Sequence, residues 1–134
     1  MSEVHVHLRV GAERYALPVA DVRSIVDMEG LAPVLGMPRA VLGLRALDGA
    51  LLPVLDLARL LGIAGATPTR IVVVETAGTI GLAVDEVLDV AELPGLDEGS
   101  TSERLQGTVL LDGVLVGAID LPAVLESLET ELAA

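Results

Sequence analysis

Along the first ten residues, apolar Val4, Val6, Leu8 and Val10 alternate with polar Glu3, His5, His7 and Arg9. A period of two predicts a strand with one wet face. Gly11 to Arg14 is expected to turn the chain, and Tyr15 to Val19 to form a second strand, with Pro18 marking an edge or an end. Between Asp21 and Met28 the spacing of Val22, Ile25, Val26 and Met28 fits a helical turn passing into a strand, and the pattern does not separate the two. Gly30 to Pro38, with two Pro and two Gly, reads as a loop. Gly43 to Leu61 reads as strand, tight turn, strand and short helix, closed by Gly62. Gly62 to Pro68 is the most linker-like stretch, expected to act as a hinge between lobes. The Ile-Val-Val-Val run within Arg70 to Glu75 suits a strand buried on both faces. Ala77 to Thr79 then turns into a strand at Ile80 to Val84, and Val87 to Glu92 follows as another. Pro94 to Ser102 is an acidic Gly-Ser loop without apolar period, expected to be the most mobile segment. Leu105 to Leu111 and Val114 to Ile119 form a second hairpin. From Leu121 the period becomes helical, with Leu121, Val124, Leu125, Leu128 and Leu132 on one face and Glu126, Glu129 and Glu131 on the other.

The pattern occurs twice. Gly43 to Leu61 and Gly107 to Leu125 superpose at an offset of 64 with eight identities in nineteen positions, including Asp48-Gly49 on Asp112-Gly113 and Asp56-Leu57 on Asp120-Leu121. Asp-Gly between apolar runs predicts a type I′ hairpin, because both central residues need positive φ. Asp56 and Asp120 each precede a short helical pattern, where a carboxylate accepts free N–H groups of the first turn. Upstream, at an offset of 65, Leu17, Val19 and Val22 fall on Leu82, Val84 and Val87. The expectation is two β units of about 65 residues sharing one core. Their lobes run over about 4–63 and 70–132, with exchange of the N-terminal strand between lobes allowed.

Composition narrows the function. The 134 residues suit one domain and contain no cysteine, which removes disulfides and thiol chemistry. The N-terminus lacks the continuous apolar core of a signal peptide and no run of about eighteen apolar residues exists, so a cytoplasmic protein without membrane insertion is expected. Twenty carboxylates against eight cations give a net charge of −12, which repels nucleic-acid phosphates. Tyr15 is the only aromatic residue, so platforms for stacking bases are missing as well. All eight cations are arginine; without lysine there is no Schiff-base or P-loop chemistry. A mean hydropathy of +0.68 points to a Val/Leu/Ala-rich core or to apolar surface awaiting another protein.

Candidate chemistry is sparse. His5 and His7 share a strand face about 7 Å apart and offer two metal ligands without a third, so a small metal- or ligand-binding β domain is the reading from another class. No serine lies in a Gly-x-Ser-x-Gly elbow, and neighbouring carboxylates such as Asp85 and Glu86 point to opposite faces of a strand. No catalytic site, metal centre or cofactor is predicted, which favours a binding module.

Gly-x-x-x-Leu-x-Gly-x-x-x-Pro-Val-x-Asp-Leu at Gly43 to Leu57, Gly-Leu-x-Val-Asp-x-Val at Gly81 to Val87 and the closing Asp120-Leu121 resemble, in their order and spacing, the CheW-like domain. That family comprises the adaptor of bacterial chemotaxis arrays and the regulatory domain of their histidine kinase, CheA. The resemblance covers the chain from Val4 to the last helix. It implies an all-β fold with short helices and a C-terminal helix, made of two pseudo-repeated five-stranded SH3-like barrels packed together, the two sequence copies being the two barrels. It also implies a non-enzymatic scaffold without cofactor, whose partners are a CheA-like kinase regulatory domain and the cytoplasmic tip of a chemoreceptor. The partner-binding residues carried over are Val22, Ser24, Gly43, Arg45, Leu47, Asp48 and Gly49. Two positions depart from the family: Asp48 replaces the usual arginine of Asn-Leu-Arg-Gly, and Ser24 the usual acid of Val-x-Glu-Ile. Losing both leaves no stranded charge. Asp-Gly also makes the better I′ turn, so Asp48 either improves the hairpin or marks a contact rebuilt around Arg45. A related alternative is a CheW-like domain serving another motility or positioning system.

Overall fold

A computed structural model describes residues 3–76, 78–95 and 104–133; part of the Pro94 to Ser102 loop therefore lies outside the described residues. The chain is almost entirely β. In order come β1 (Val4–Val10), β2 (Glu13–Pro18), a single 3-10 turn at Val19–Asp21, β3 (Val22–Asp27) and the two-residue β4 (Leu31–Ala32). Next are β5 (Val41–Leu47), β6 (Ala50–Asp56), α1 (Leu57–Leu61), β7 (Arg70–Glu75), β8 (Thr79–Val84) and β9 (Glu86–Glu92). β10 (Leu105–Leu111), β11 (Val114–Ile119) and α2 (Leu121–Ala133) complete it. The ambiguous stretch from Asp21 to Met28 is thus mainly the strand β3, the tight turn lying just before it at Val19–Asp21, and the expected loop after Gly30 contains the short β4.

One sheet has the order β10-β11-β2-β1-β9, the other β3-β7-β8-β6-β5-β4. Leaving out β4, the two orders are the same once each strand is replaced by its counterpart in the other copy. Parallel pairs β11–β2 and β6–β8 correspond, and so do the irregularities: the register slips between Val41 and Gly43 in β5 and between Leu105 and Gly107 in β10. The copies and the sheets divide the chain differently, however. The early hairpin of each copy, β1–β2 or β7–β8, lies beside the late hairpin of the other. The expectation that each copy is one barrel is replaced by two sheets, each built from both copies.

This arrangement follows from burial. Along β7, Ile71, Val72, Val73 and Val74 are all fully buried. Val72 and Val74 join the central cluster with Val6, Leu8, Val10, Leu17, Leu82 and Val84 from both sheets, while Ile71 and Val73 join a second cluster with Leu52 and Val54. A strand without a wet face needs apolar cover on both sides. β1 is its counterpart and differs from the alternation read in the sequence. His7 pairs in register with Ala16, a residue of the third cluster, and His5 is 4% exposed. The face carrying the two histidines is therefore largely covered, with His5 buried and His7 and Arg9 half-buried, and the fully wet side predicted for the strand is missing.

Capping follows the sequence. Asp56 Oδ1 accepts from the Ala58 N–H at 3.1 Å and Asp120 Oδ1 from the Ala123 N–H at 3.2 Å. Gly62 ends α1 in the left-handed conformation at φ 74°. Leu57 and Leu60 of α1 and Leu121 and Val124 of α2 enter the central cluster, which both helices flank.

Gly43 sits where β4 crosses close to β5: a Cβ there would lie 2.3 Å from the Ala32 carbonyl oxygen. Gly43→Ala is expected to cost roughly 2–3 kcal/mol, because backbone and not a side-chain tip must give way. Urea unfolding checks this; an unchanged midpoint would refute the close approach.

Candidate docking site

The Asp-Gly turn between β5 and β6 has positive φ at both residues, 48° at Asp48 and 81° at Gly49, and Asp112 and Gly113 repeat it at 49° and 79°. The I′ geometry follows the right-handed twist of the strands and carries the hairpin tip back over the sheet. Leu47 and Asp48 there meet Arg23 and Ser24 of β3, across an apolar floor of Leu52 and Val73, to form a cleft of about 130 Å³. Ala50, Leu51 and Thr79 complete the wall. Leu51, 69% exposed, forms an apolar rim. The charges are Asp48 and Arg23, whose guanidinium makes only a 4.0 Å contact with Glu75. A concavity of this size with one carboxylate, one guanidinium and an apolar lining is suited to receiving a protruding side chain of another protein.

Of the seven residues expected to bind a partner, Ser24, Leu47 and Asp48 converge on this cleft, and Gly49 completes the turn beside it. The remaining three have other neighbours. Val22 packs against the central cluster and Gly43 lies under Ala32. Arg45 donates to the Asp27 carbonyl and, at 3.1 Å, to its carboxylate. Arg23, Leu51 and Thr79 were not singled out in the sequence; the exposed apolar Leu51 beside an Asp-Gly turn was the available signal.

The duplication builds the cleft a second time. Strand registers place Leu88 and Asp89 of β9 where Arg23 and Ser24 stand, His7 where Val73 stands, and Arg14 where Thr79 stands. Leu111, Asp112, Val114 and Val116 replace Leu47, Asp48, Ala50 and Leu52. All eight line one cleft of about 360 Å³. It is wider and more acidic than the first, since Asp89, Asp112 and Glu92 surround it.

The histidines face inward and are engaged. His5 Nδ1 lies 3.0 Å from the Glu3 carbonyl oxygen and His7 Nε2 lies 3.3 Å from that of Ala91. Among the described residues no three His, Asp or Glu side chains converge as a metal site. Nor is any described helix long and apolar enough to cross a membrane.

Residues 5–129 match the model of the CheW-like domain family. The chain belongs to that family. It is 31% identical over 137 residues to a chemotaxis protein CheW of Rhizobium meliloti, covering 93% of this chain and 88% of the relative. It is 31% identical over 140 residues to a probable chemotaxis protein CheW of Rhizobium etli, with the same coverage. The crystal structure of the scaffolding protein TtCheW from Thermoanaerobacter tengcongensis matches with a TM-score of 0.78 at 26% identity, over 90% of this chain and 86% of that one. The two sheets are thus the paired SH3-like β-barrels of a CheW-like protein, one with five strands and the other with five plus the two-residue β4. In this CheW-like chain Asp48 and Ser24 both line the first cleft.

Tyr15 lines the second cleft, and its hydroxyl donates to the Glu13 carboxylate. Burial raises its pKa well above the ordinary value; the hydrogen bond to Glu13 and that residue's charge add to the shift. Because the folded chain holds the proton more tightly than the unfolded one, Tyr15 stabilises the fold fully below about pH 10 and progressively less as pH rises beyond it. The single aromatic residue makes this easy to follow. The phenolate absorbance of the folded protein is expected to appear at higher pH than that of the urea-unfolded chain, and coincident titrations would refute the assignment.

Proposed function

We propose that this CheW-like chain is a non-enzymatic cytoplasmic adaptor that joins the regulatory domain of a CheA-like histidine kinase to the cytoplasmic tip of a chemoreceptor. The observation that carries the reading is the first cleft, where three of the residues expected to bind a partner, Ser24, Leu47 and Asp48, meet with an apolar rim at Leu51. Hot-spot logic supports it: a partly desolvated apolar pocket with a few polar groups at its margin is the form that takes an anchoring side chain. The clefts' charges suit selection of a protein partner more than chemistry on a small molecule.

Binding of the cognate kinase regulatory domain, measured by calorimetry with the full chain, tests the proposal. Leu51→Asp, at an exposed position, is expected to weaken binding at least about tenfold, and Leu47→Asp at least as much. Unaltered affinity in the well-folded Leu51→Asp variant would exclude the first cleft.

A second reading, in which the domain serves another motility or positioning apparatus, is favoured because Asp48 and Ser24, which depart from the arginine and acid that the family resemblance implies, both line this cleft and set what it selects. Ser24→Glu combined with Asp48→Arg restores the family's pair. If the natural chain serves a chemoreceptor, the double variant is expected to bind that receptor tip several-fold more weakly. A gain of receptor binding that the natural chain lacks would support the second reading.

A further inference from the structure

We propose that the loop from Pro33 to Arg39, together with Arg59, forms a further docking surface whose occupant is an acidic segment of another protein carrying an exposed apolar side chain. This surface does not depend on the hairpin clefts or on the assignment of kinase and receptor.

Three apolar side chains stand on this loop with little cover: Leu35 is 98% exposed, Met37 45% and Val34 40%. No other large apolar residue of the described chain is as bare as Leu35. The loop is braced at both ends. β4 pairs with β5 just before it, Ala32 with Leu44, and Pro33 and Pro38 restrict the backbone at either end. Beyond it the Pro38 carbonyl accepts from the Val41 N–H at 2.9 Å. A braced loop presents its apolar tip with less ordering left to do on binding.

Charge identifies the occupant. With twenty carboxylates and eight arginines, most of this chain's surface repels an acidic partner. Several arginines are internally neutralised: Arg9 by Asp85 and Glu86, and Arg45 by Asp27. Arg39 is exposed and makes no side-chain ion pair or hydrogen bond with a described residue. Arg59 reaches back to donate to the Arg39 carbonyl, while pairing with Asp56 at 3.5 Å. The two guanidinium-bearing residues line a concavity of about 410 Å³ with Ala40, Gly62, Ile63 and Ala64. An unneutralised arginine at the end of an apolar loop matches a segment that supplies a carboxylate next to an apolar anchor.

The test is a titration of the full isotope-labelled chain, followed by NMR, with a synthetic peptide alternating Leu and Glu and with its Leu and Lys counterpart. The Glu peptide is expected to shift resonances of residues 33–40 and 59–64. Leu35→Ser and Arg39→Glu, both at exposed side chains and therefore compatible with the fold, are each expected to weaken it about tenfold. Arg39→Glu is also expected to reverse the preference toward the Lys peptide. Equal binding of the two peptides by the natural chain, or shifts centred on Ser24 and Leu47 to Leu51, would overturn the proposal. So would a chain that dimerises through Leu35 and takes neither peptide, which would make a second copy the occupant.

Discussion

The constraint behind the architecture is that two hairpins, β1–β2 and β7–β8, are covered over most of both faces. Leu8, Leu17, Val72 and Leu82 fill the space between the sheets, while Ile71, Val73, Ala16 and the two histidines turn the other way, into the sheets' own interiors. Strands of this kind must be central, so the edges fall to β3, β4, β9 and β10. Each early hairpin is completed by strands of the other copy. Neither sequence copy can bury its apolar residues alone, and the central cluster draws on both.

The junction between the copies shows the same dependence. The stretch Gly62 to Pro68, which composition suggests is a hinge, is fastened at Asp85. One Asp85 carboxylate oxygen accepts from the Thr67 N–H at 2.9 Å and faces Arg9 at 3.5 Å. The Asp85 carbonyl accepts the Thr69 hydroxyl. Arg9 in turn reaches the Gly11 carbonyl at 2.9 Å and the Glu86 carboxylate at 3.2 Å. Asp85 is 5% exposed; these contacts hold one carboxylate oxygen, while the other is buried without a hydrogen-bond partner among the described residues.

Much of this was legible in the sequence, for identifiable reasons. Asp48-Gly49 and Asp112-Gly113 demand positive φ, a local property, and both hairpins and both aspartate caps are where local chemistry puts them. The all-β class and the CheW-like family follow from motif order. Long-range choices were not legible. Nothing between Val4 and Val10 says that His5 and His7 face inward, because a histidine satisfied by a backbone carbonyl reads in sequence like one satisfied by water. Nothing in the sequence says that Val22 packs on the central cluster or that Arg45 pairs with Asp27. The repeat itself misled in one respect: an internal copy predicts equal units but not which unit's strands will lie side by side.

Duplication also explains how one small fold presents two different surfaces. The strand registers that bring Ser24 opposite Asp48 bring Asp89 opposite Asp112, since both pairs are set by the same sheet order and the same turn. Geometry is therefore shared while side chains are free to diverge. The first cleft carries Ser24 beside Arg23 and Asp48; the second holds Asp89, Glu92 and Asp112 around Arg14 and His7. A partner that fits one is discouraged by charge from the other, even though the backbone frames are alike. Because the floors of both clefts, Val73 and His7, belong to the exchanged hairpins, a change that loosened either hairpin would disturb the cleft roofed by the other copy. The two clefts can vary independently in their rims but not in their floors.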